Sequence, residues 1–345
     1  LPDKAIDLMD EAAAMIRDGE VISSAFGNGQ PVALFDAIRK RVMEGKLHKP
    51  TILAASMTDS MPLMDPEIED RIEFDSFFVK SERARIKEGY YTHTPNKFSD
   101  LEKISSRGLR SVQVSVLRVS PMDNHGFFST GINVDFGWDI ARSNHNRRLL
   151  MVEVNKYMPR TYGSNHVHIS EVDAVIEYDL PLIEESEPPT KKEWETIGHY
   201  IAEMVPDGAT LQLGVGGIPA AVGRCLMDKR DLGVHTEVIP EVYLDLYEAG
   251  VITSRKKTFM PYKWVAAFAN GTRRLYDFVN ENPMVEMHGC GFVNDPYIIA
   301  QNDNMISVNA TLQIDLTGQC ASEAIGPVQF ASTGGQLDFV QGAWL

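Results

Sequence analysis

The sequence has few cysteines and no long apolar run, and both features narrow the class of protein. Its three cysteines, Cys225, Cys290 and Cys320, form no Cys-x-x-Cys pair, so we expect core thiols rather than disulfides or a cysteine-based zinc site. No window approaches the roughly 18 uninterrupted apolar residues that a membrane span needs. The first 19 residues read as an acidic amphipathic helix, unlike a signal or transit peptide. We therefore expect a soluble cytoplasmic protein.

Basic charge is also scarce. The 345 residues include 33 Lys and Arg against 48 Asp and Glu, which gives a formal net charge of −15. Nucleic-acid binding depends on clustered Lys and Arg that release counterions from phosphates, and the sequence has no basic stripe. Nucleic acid is therefore not an expected partner. With 43% hydrophobic residues, the chain is long enough for two cores of ordinary size.

An acidic, proline-rich stretch divides the chain. Residues 180–195 read LPLIEESEPPTKKEWE, and the two adjacent prolines neither extend a helix nor pair in a central strand. We predict one α/β domain over residues 1–187 and a second over residues 188–345. Thr190 and Glu193 fit a capping box at the start of the first helix of the second domain.

The two halves carry the same features in the same order. In each, an Asp-Gly turn leads into a short apolar strand, a glycine loop and a proline suited to the first turn of a helix. Asp18-Gly19 matches Asp207-Gly208, and Pro31 matches Pro219. β-Branched runs that alternate with helical stretches are typical of parallel sheets covered by helices. The sequence therefore predicts two similar, open, mainly parallel α/β domains, which bind ligands beyond the carboxyl ends of their strands.

Three strand-to-helix loops are candidate ligand sites. The loop 214–219 leaves a strand and enters a helix, so its backbone N–H groups can point at a ligand oxygen with the helix dipole assisting. It lacks the Walker Gly-Lys-Ser/Thr, and Pro219 replaces the third glycine of the dinucleotide fingerprint, which disfavours nucleotide hydrolysis and hydride transfer. Glu237 stands at a second junction, ahead of a predicted helix over 241–249, and paired glycines mark the third loop at 333–336. Taken alone, each loop also fits a plain turn, and Glu237 a solvated surface carboxylate.

No metal or serine-hydrolase signature accompanies these loops. His166 and His168 can share one strand face, and His125 and His288 lie among glycines, but no carboxylate or cysteine stands beside them at zinc-ligand spacing. No serine occupies a Gly-x-Ser-x-Gly elbow. We therefore expect no metal site and no Ser-His-Asp triad.

Ordered motifs run through nearly the whole chain. The first half has VSPMD at 119–123, HGF at 125–127, EVN at 153–155, MPRT at 158–161 and HI at 168–169, ahead of an acidic strand at 173–177. The second half has GVGGIP at 214–219, GVHTE at 233–237, FVNDP at 292–296, DLTGQ at 315–319 and GGQLDF at 334–339. In this order they resemble the acetyl-CoA hydrolase/transferase family, in particular the bacterial 4-hydroxybutyrate and butyrate CoA-transferases.

The resemblance implies two related α/β domains of the CoA-transferase type with the active site between them. It implies a short-chain acyl-CoA and a free carboxylate as substrates, no metal or redox cofactor, and a homodimer or higher homo-oligomer. The catalytic glutamate of the family matches Glu237, and its oxyanion donors correspond to the backbone N–H groups of Val215 and Gly334. Its CoA-binding residues match Gly214, Val215, Gly216, Gly217, Ile218, Pro219, Gly334, Gly335 and Gln336.

Family members generally continue well past GGQLDF, and the final TGGQLDFVQGAWL closes no domain, so we expect the second domain to be truncated at its C-terminus. The leading Leu likewise suggests a missing native start.

An ordinary glutamate, with a pKa of about 4.3, is already an anionic nucleophile at neutral pH. Attack of Glu237 on a thioester would lead through an acyl-glutamyl anhydride to a glutamyl-CoA thioester. Two alternatives stay open: an acyl-CoA hydrolase that uses the same glutamate, and a non-catalytic α/β module that binds a phosphate ligand.

Overall fold

The computed structural model describes residues 3–55, 61–108 and 111–345. In those ranges the α-helices are α1 Asp3–Ala14, α2 Val32–Met43, α3 Arg83–Glu88, α4 Leu101–Ser106, α5 Asp135–Ser143, α6 Lys192–Met204, α7 Gly217–Arg224, α8 Glu241–Glu248, α9 Arg273–Val279, α10 Cys290–Val293, α11 Pro296–Ile299 and α12 Gln336–Trp344.

The strands in the same ranges are β1 Val21–Ser24, β2 Thr51–Ala54, β3 Glu73–Ser76, β4 Thr92–His93, β5 Val114–Val119, β6 Phe127–Ser129, β7 Leu149–Val154, β8 Tyr162–Gly163, β9 His166–His168, β10 Ala174–Glu177, β11 Thr210–Leu213, β12 Gly233–Pro240, β13 Trp264–Asn270, β14 Val285–Met287, β15 Met305–Val308, β16 Gln313–Ile314, β17 Cys320–Ala321, β18 Ala324–Ile325 and β19 Val328–Gln329.

Two parallel sheets form the framework. The first has the order β10-β7-β5-β1-β2-β3-β4 and the second the order β15-β11-β12-β13-β14-β8. Strand β5 is buried along its whole length, as expected for a strand whose sheet is covered on both faces. Hairpins β16–β17 and β18–β19 are antiparallel and lie outside both sheets.

The two sheets repeat one topology. The order β5-β1-β2-β3-β4 in the first sheet corresponds to β15-β11-β12-β13-β14 in the second. The turn glycines Gly19 and Gly208 have φ angles of +70° and +78°, a conformation in which glycine carries no Cβ penalty. The prediction of two similar, mainly parallel α/β units is confirmed.

One strand crosses between the halves. Strand β8, from the first half of the chain, forms the edge of the second sheet by pairing with β14. Its Gly163 has φ +115°, and a Cβ there would lie 2.1 Å from the carbonyl oxygen of Met287. An isolated antiparallel bridge also joins Asn133 to Phe268 of β13. The two halves are therefore interlocked, and the domain boundary at 187/188 stays a prediction.

The acidic connection is bound to both halves. The Ile183 carbonyl accepts hydrogen bonds from Asn28 Nδ2 at 3.0 Å and from the Tyr276 hydroxyl at 2.8 Å. The Glu184 carboxylate accepts from the backbone N–H of Arg273, the first residue of α9. An anion at a helix N-terminus is stabilised by the helix dipole, so this segment is an ordered strap.

The predicted capping box at the start of α6 is wrong. The helix begins at Lys192 with Lys191 as its N-cap, and no side chain caps it. Thr190 instead accepts a hydrogen bond from the Arg224 guanidinium through its hydroxyl. Arg224 also pairs with Glu187 at 2.6 Å, so a tertiary contact has replaced the local one.

The cysteine environments differ. Cys290 is buried and Cys225 half-buried, but Cys320 is exposed, so the expectation of a core thiol is wrong for Cys320. The reason is that Cys320 lies on β17 of an exposed hairpin. No helix in the described ranges has the length and apolar character required to cross a membrane.

Candidate active site

Glu237 lies in the middle of β12 and not in a loop that follows it. The sequence-based placement at a strand-to-helix junction is therefore wrong, because the strand continues from Gly233 to Pro240. Gly233 resembles a turn residue in sequence, but a Cβ there would lie 2.4 Å from Lys257 Cγ, so it serves close packing inside the strand. Glu237 is the one residue of β12 that is not fully buried. Its neighbours Thr236 and Val238 pair with β13, while the Glu237 side chain reaches a cavity.

This cavity, of about 270 Å³, lies between the two halves of the chain. It brings together six of the residues assigned from the sequence: Gly214, Val215, Glu237, Gly334, Gly335 and Gln336. Thr333, from the candidate loop 333–336, also lines it. Sequence reasoning did not identify the rest of the lining, which includes the polar residues Gln212, Asn270, Asn309 and Ser332 and the phenylalanines Phe26, Phe78, Phe98, Phe268 and Phe339.

The rest of the first glycine loop lies outside this cavity. Gly216 lines an adjoining cavity of about 140 Å³ that shares Gly214 and Val215 with the first. A Cβ at Gly217 would lie 1.9 Å from the ring of Trp194, so the lack of a side chain at Gly217 leaves room for the Trp194 ring and not for a ligand. Ile218 and Pro219 lie in the first turn of α7, where Pro219 is buried. A CoA-binding role for these four residues stays a prediction.

Two groups contact the Glu237 carboxylate. Its Oε2 accepts a hydrogen bond from Asn294 Nδ2 at 2.7 Å. The backbone of Gly335 also hydrogen-bonds the carboxylate. A Cβ at Gly335 would lie 1.9 Å from Glu237 Oε2, so any larger residue would occupy the place of the carboxylate. Gly335 is therefore the glycine in contact with Glu237, and the role of the Gly334 N–H group as an oxyanion donor stays a prediction.

The glycine loop that contains Gly335 is held by the first half of the chain. The Gly334 carbonyl accepts from the backbone N–H of Phe98 at 3.2 Å. Just beyond the loop, the buried Asp338 accepts from the backbone N–H of Ser99 at 3.1 Å and from its hydroxyl at 2.7 Å. Both halves therefore determine the geometry around Glu237.

The electrostatic environment corrects the expectation of an ordinary glutamate. Burial raises the pKa of Glu237 to about 7, and the nearby Asp338 carboxylate acts in the same direction. The hydrogen bonds from Asn294 and Gly335 lower the pKa and oppose this effect. The balance of these effects leaves the pKa of Glu237 well above that of an ordinary glutamate.

A buried histidine, His235, hydrogen-bonds the residue that precedes Asn294. Burial lowers the pKa of His235 to about 3, so its ring is neutral at physiological pH. His235 Nε2 donates to the Val293 carbonyl at 2.9 Å, and Nδ1 lies 3.3 Å from Asn302 Nδ2. Because Val293 precedes Asn294, this chain of contacts positions the amide that binds Glu237. The FVNDP motif contains Asn294 and was the available sequence signal for it.

The other candidate histidines have structural partners. His166 and His168 lie on β9, which pairs with β6, and His168 caps the short turn that follows. His288 Nδ1 lies 2.9 Å from the Ser164 hydroxyl. Across residues 3–55, 61–108 and 111–345, no three His, Cys, Asp or Glu side chains are grouped to hold a metal ion.

Known proteins share this fold. The chain has a TM-score of 0.90 to RipA from Yersinia pestis, at 39% identity over 97% of this chain and 77% of that one. It has a TM-score of 0.80 to the 4-hydroxybutyrate CoA-transferase of Porphyromonas gingivalis, at 30% identity over 97% and 77% of the two chains. The fold, with a glutamate in the crevice between two α/β halves, defines a protein of the CoA-transferase type.

Sequence comparison gives the family. The chain matches the acetyl-CoA hydrolase/transferase N-terminal domain over residues 3–184 and the C-terminal domain over residues 271–345. It is 39% identical to the succinyl-CoA:cyclohexane-1-carboxylate CoA transferase of Geobacter metallireducens, over 96% of this chain and 75% of that protein. It is 36% identical to the 4-hydroxybutyrate coenzyme A transferase of Clostridium kluyveri, over 97% and 77%. The chain belongs to the acetyl-CoA hydrolase/transferase family.

Proposed function

We propose that this protein transfers CoA between a short-chain acyl-CoA and acetate or a similar carboxylate, with Glu237 as the covalent carrier. The observation that supports this most directly is the carboxylate of Glu237, bound by Asn294 and Gly335 at a cavity between the two halves. The names of the curated relatives, which are CoA transferases, agree with it.

The proposed reaction needs no external base once Glu237 is ionised. A carboxylate oxygen of Glu237 attacks the thioester carbonyl, the C–S bond breaks, and CoA leaves as a thiolate. The thiolate then attacks the glutamyl carbonyl of the mixed anhydride, which releases the first carboxylate and leaves a glutamyl-CoA thioester. A second carboxylate reverses both steps, so the kinetics should be ping-pong.

Each step passes through a tetrahedral intermediate with negative charge on the former carbonyl oxygen. We assign Asn294 and Gly335 to stabilise the oxygen that develops charge on Glu237, since both already hydrogen-bond its carboxylate. For the oxygen of the substrate acyl group, we assign the backbone N–H groups of Val215 and Gly334, which line the same cavity. One such donor is typically worth about 10²–10³ in rate.

The lining of the cavity favours transfer over hydrolysis. Hydrolysis of either activated intermediate requires water beside Glu237, and enclosed sites suppress such side reactions. Phe26, Phe98 and Phe339 are each at most 4% exposed and cover the apolar side of this cavity. We therefore place acyl-CoA hydrolysis second to CoA transfer.

Three further features of the proposal rest on family resemblance: the use of an acyl-CoA and a short-chain carboxylate, the lack of a metal or redox cofactor, and a homodimer or higher homo-oligomer. The proposed location in the cytoplasm rests instead on the sequence, which lacks a long apolar run and a recognisable targeting segment. Light scattering at micromolar concentration tests the oligomeric state, and a monomer would contradict it.

One experiment tests the central proposal. The protein is incubated with acetyl-CoA and butyrate, and butyryl-CoA is sought by mass spectrometry. In parallel, protein mixed with acetyl-CoA alone is treated with borohydride and mapped by peptide analysis. The proposal expects butyryl-CoA and a modification on Glu237. Free CoA without butyryl-CoA would identify a hydrolase, and a modification on another residue would refute the assignment of Glu237.

A further inference from the structure

The helix α10 begins beside two glycines that leave room for carboxylates of the first half. A Cβ on Gly289 would lie 1.9 Å from Asp139 Oδ1, and a Cβ on Gly291 would lie 2.3 Å from Glu102 Oε2. Gly289 has φ −68°, an angle that other residues adopt readily, so glycine is required there for space. Asp139 lies on α5 and Glu102 on α4, whereas α10 belongs to the second half. The start of α10 is therefore packed against two acidic side chains from the other half.

One of these side chains, that of Asp139, is hydrogen-bonded to α10. Its Oδ2 accepts from the backbone N–H of Gly291 at 2.8 Å, and its Oδ1 accepts from the Arg142 guanidinium at 3.2 Å. Asp139 is 1% exposed, so the contact is shielded from water. The first N–H groups of a helix have no partner inside that helix. Asp139 therefore supplies the acceptor for a backbone group that α10 itself cannot satisfy.

The same helix ends at the amide that binds the reacting carboxylate. Asn294 is the C-cap of α10, and its side chain donates to Glu237 Oε2. The carbonyl of Val293, one residue earlier, accepts from His235. The helix is four residues long, and helices this short do not hold their orientation without tertiary contacts. The second half thus holds the end of α10 through His235, and the first half holds its beginning through Asp139.

Several ionisable groups face Asp139. Burial raises the pKa of Asp139 to about 7, and the hydrogen bond from Gly291 opposes this effect. The carboxylates of Glu102 on α4 and Asp135 on α5 raise the pKa further, whereas the Arg142 guanidinium lowers it. From α10, the buried Cys290 thiol lies within electrostatic range of Asp139. The position of Asp139 and its charge are therefore two separate ways in which it could influence Glu237.

We propose that Asp139 is a positioning residue for the reaction at Glu237. By binding the Gly291 N–H group, it fixes α10 in the orientation in which Asn294 donates to Glu237. Asp139 does not line the cavity, so it acts through the helix and not through contact with the substrate. The inference rests on the proposed CoA transfer and extends it to a residue of the first half. The two halves thereby share control of one hydrogen bond to the reacting carboxylate.

Two substitutions of Asp139 separate position from charge. Asp139→Ala removes the acceptor for Gly291, so kcat for transfer from acetyl-CoA to butyrate should fall at least about tenfold. The inflection of kcat/KM should move to higher pH, because Glu237 loses a hydrogen bond that stabilises its anion. Asp139→Asn keeps an acceptor but carries no charge, so it should stay within about threefold of wild type without an upward shift.

A role through charge alone predicts the opposite direction. Both substitutions remove a negative charge, which would favour the Glu237 anion and move the inflection to lower pH in both variants. The matched control is Asp135→Asn, which also removes a buried carboxylate from α5 but one that accepts from Gly137 of its own helix at 2.8 Å. This control should give no upward shift. Difference infrared spectroscopy against pH, with Glu237→Gln as the reference, measures protonation of Glu237 without any assay of transfer.

A double substitution tests whether Asp139 acts through Asn294. In an Asn294→Ala background there is no amide to position, so adding Asp139→Ala should reduce kcat by less than about threefold more. Independent roles would instead multiply the two losses. Circular dichroism verifies folding. Gly289→Ala breaks the same contact from the α10 side and should give the same fall and the same upward shift, so it replaces Asp139→Ala if that variant does not fold.

The outcomes separate the two proposals. An unmoved or lowered inflection in the folded contact-breaking variant, an Asp139→Asn variant as impaired as that one, or losses that multiply in the double variant each overturn the role of Asp139. Wild-type protein that transfers no CoA to butyrate refutes the proposed function instead, and the infrared titration then still shows whether Asp139 controls the protonation of Glu237.

Discussion

At the residue scale, the environment of Glu237 combines two opposing effects. Burial raises its pKa to about 7 and so disfavours the anion, whereas Asn294 and Gly335 favour the anion through hydrogen bonds. A carboxylate that loses solvation is a stronger nucleophile when it is ionised, and the two donors keep it oriented. The charge of the Glu237 carboxyl group therefore depends on pH near neutrality.

Substitution of Glu237 tests its role directly. Glu237→Gln keeps the size and polarity of the side chain but removes the nucleophilic anion, so kcat for CoA transfer should fall by several orders of magnitude, about 10³-fold or more. Glu237→Asp keeps the charge but retracts it by one methylene, and misplacement near 1 Å can cost about 10²-fold. Acyl-CoA exchange assays measure both. A Glu237→Gln variant with near wild-type transfer would refute the covalent scheme.

The raised pKa predicts a pH profile. Because the anion of Glu237 reacts, kcat/KM should increase with pH, level off above about pH 7, and fall about tenfold per pH unit below it. An ordinary glutamate would give a flat profile down to about pH 5. In Asn294→Ala, the loss of a hydrogen bond that lowers the pKa should move the inflection to higher pH. An unmoved inflection in Asn294→Ala would contradict this account.

At the element scale, the site depends on the contact between one strand and one loop. Strand β12 carries Glu237, and the loop before α12 carries Gly335, which touches its carboxylate. Gly335 has φ −95°, an angle that other residues adopt readily. Glycine is therefore required here for space and not for backbone conformation.

Gly335→Ala should consequently inactivate without unfolding. A Cβ would lie 1.9 Å from Glu237 Oε2 and 2.3 Å from Asn294 Nδ2, so the carboxylate must move. We expect a fall in kcat of at least about 10²-fold with a thermal midpoint within a few degrees of wild type. Kinetics and calorimetry on the same preparation separate the two effects. Activity within threefold of wild type would show that the loop does not contact Glu237 closely.

At the scale of the whole molecule, the two halves are held together by a strand that crosses from the first half and by a shared apolar core. Strand β8 completes the second sheet, and an apolar cluster with Phe98 from the first half and Phe268 from the second spans the junction. The strap at Ile183 adds hydrogen bonds to both sides. Movement of one half against the other would therefore break a sheet edge and a shared core.

Gly163→Ala should weaken this connection between the halves. Gly163 has φ +115° and lies against the Met287 backbone, so a Cβ adds both strain and a clash. We expect the free energy of unfolding to fall by about 3 kcal/mol, measured by urea denaturation. The matched control is Gly318→Ala, where φ is +89° but no atom lies within 4 Å of a Cβ. That variant should lose only about 1 kcal/mol. Equal losses would show that packing against Met287 contributes nothing.

The sequence alone predicted those features of the protein that depend on neighbouring residues in the chain. The Asp-Gly turns place Gly19 and Gly208 at positive φ, which glycine adopts without a Cβ penalty. Apolar runs between loops predicted parallel strands covered by helices on both faces of the sheet. The ordered motifs identified the family. Glu237, Val215, Gly334, Gly335 and Gln336 were all named from the sequence and all line one cavity.

Tertiary structure alone decided the rest, because those properties depend on residues far apart in the chain. Asn294 lies 57 residues from Glu237 and reaches it only when α10 packs beside β12. The raised pKa follows from burial in that packing and has no local sequence signal. Whether Gly334 or Gly335 touches the carboxylate depends on how the first half holds the loop. The entry of β8 into the second sheet likewise follows from long-range pairing that no periodic pattern encodes.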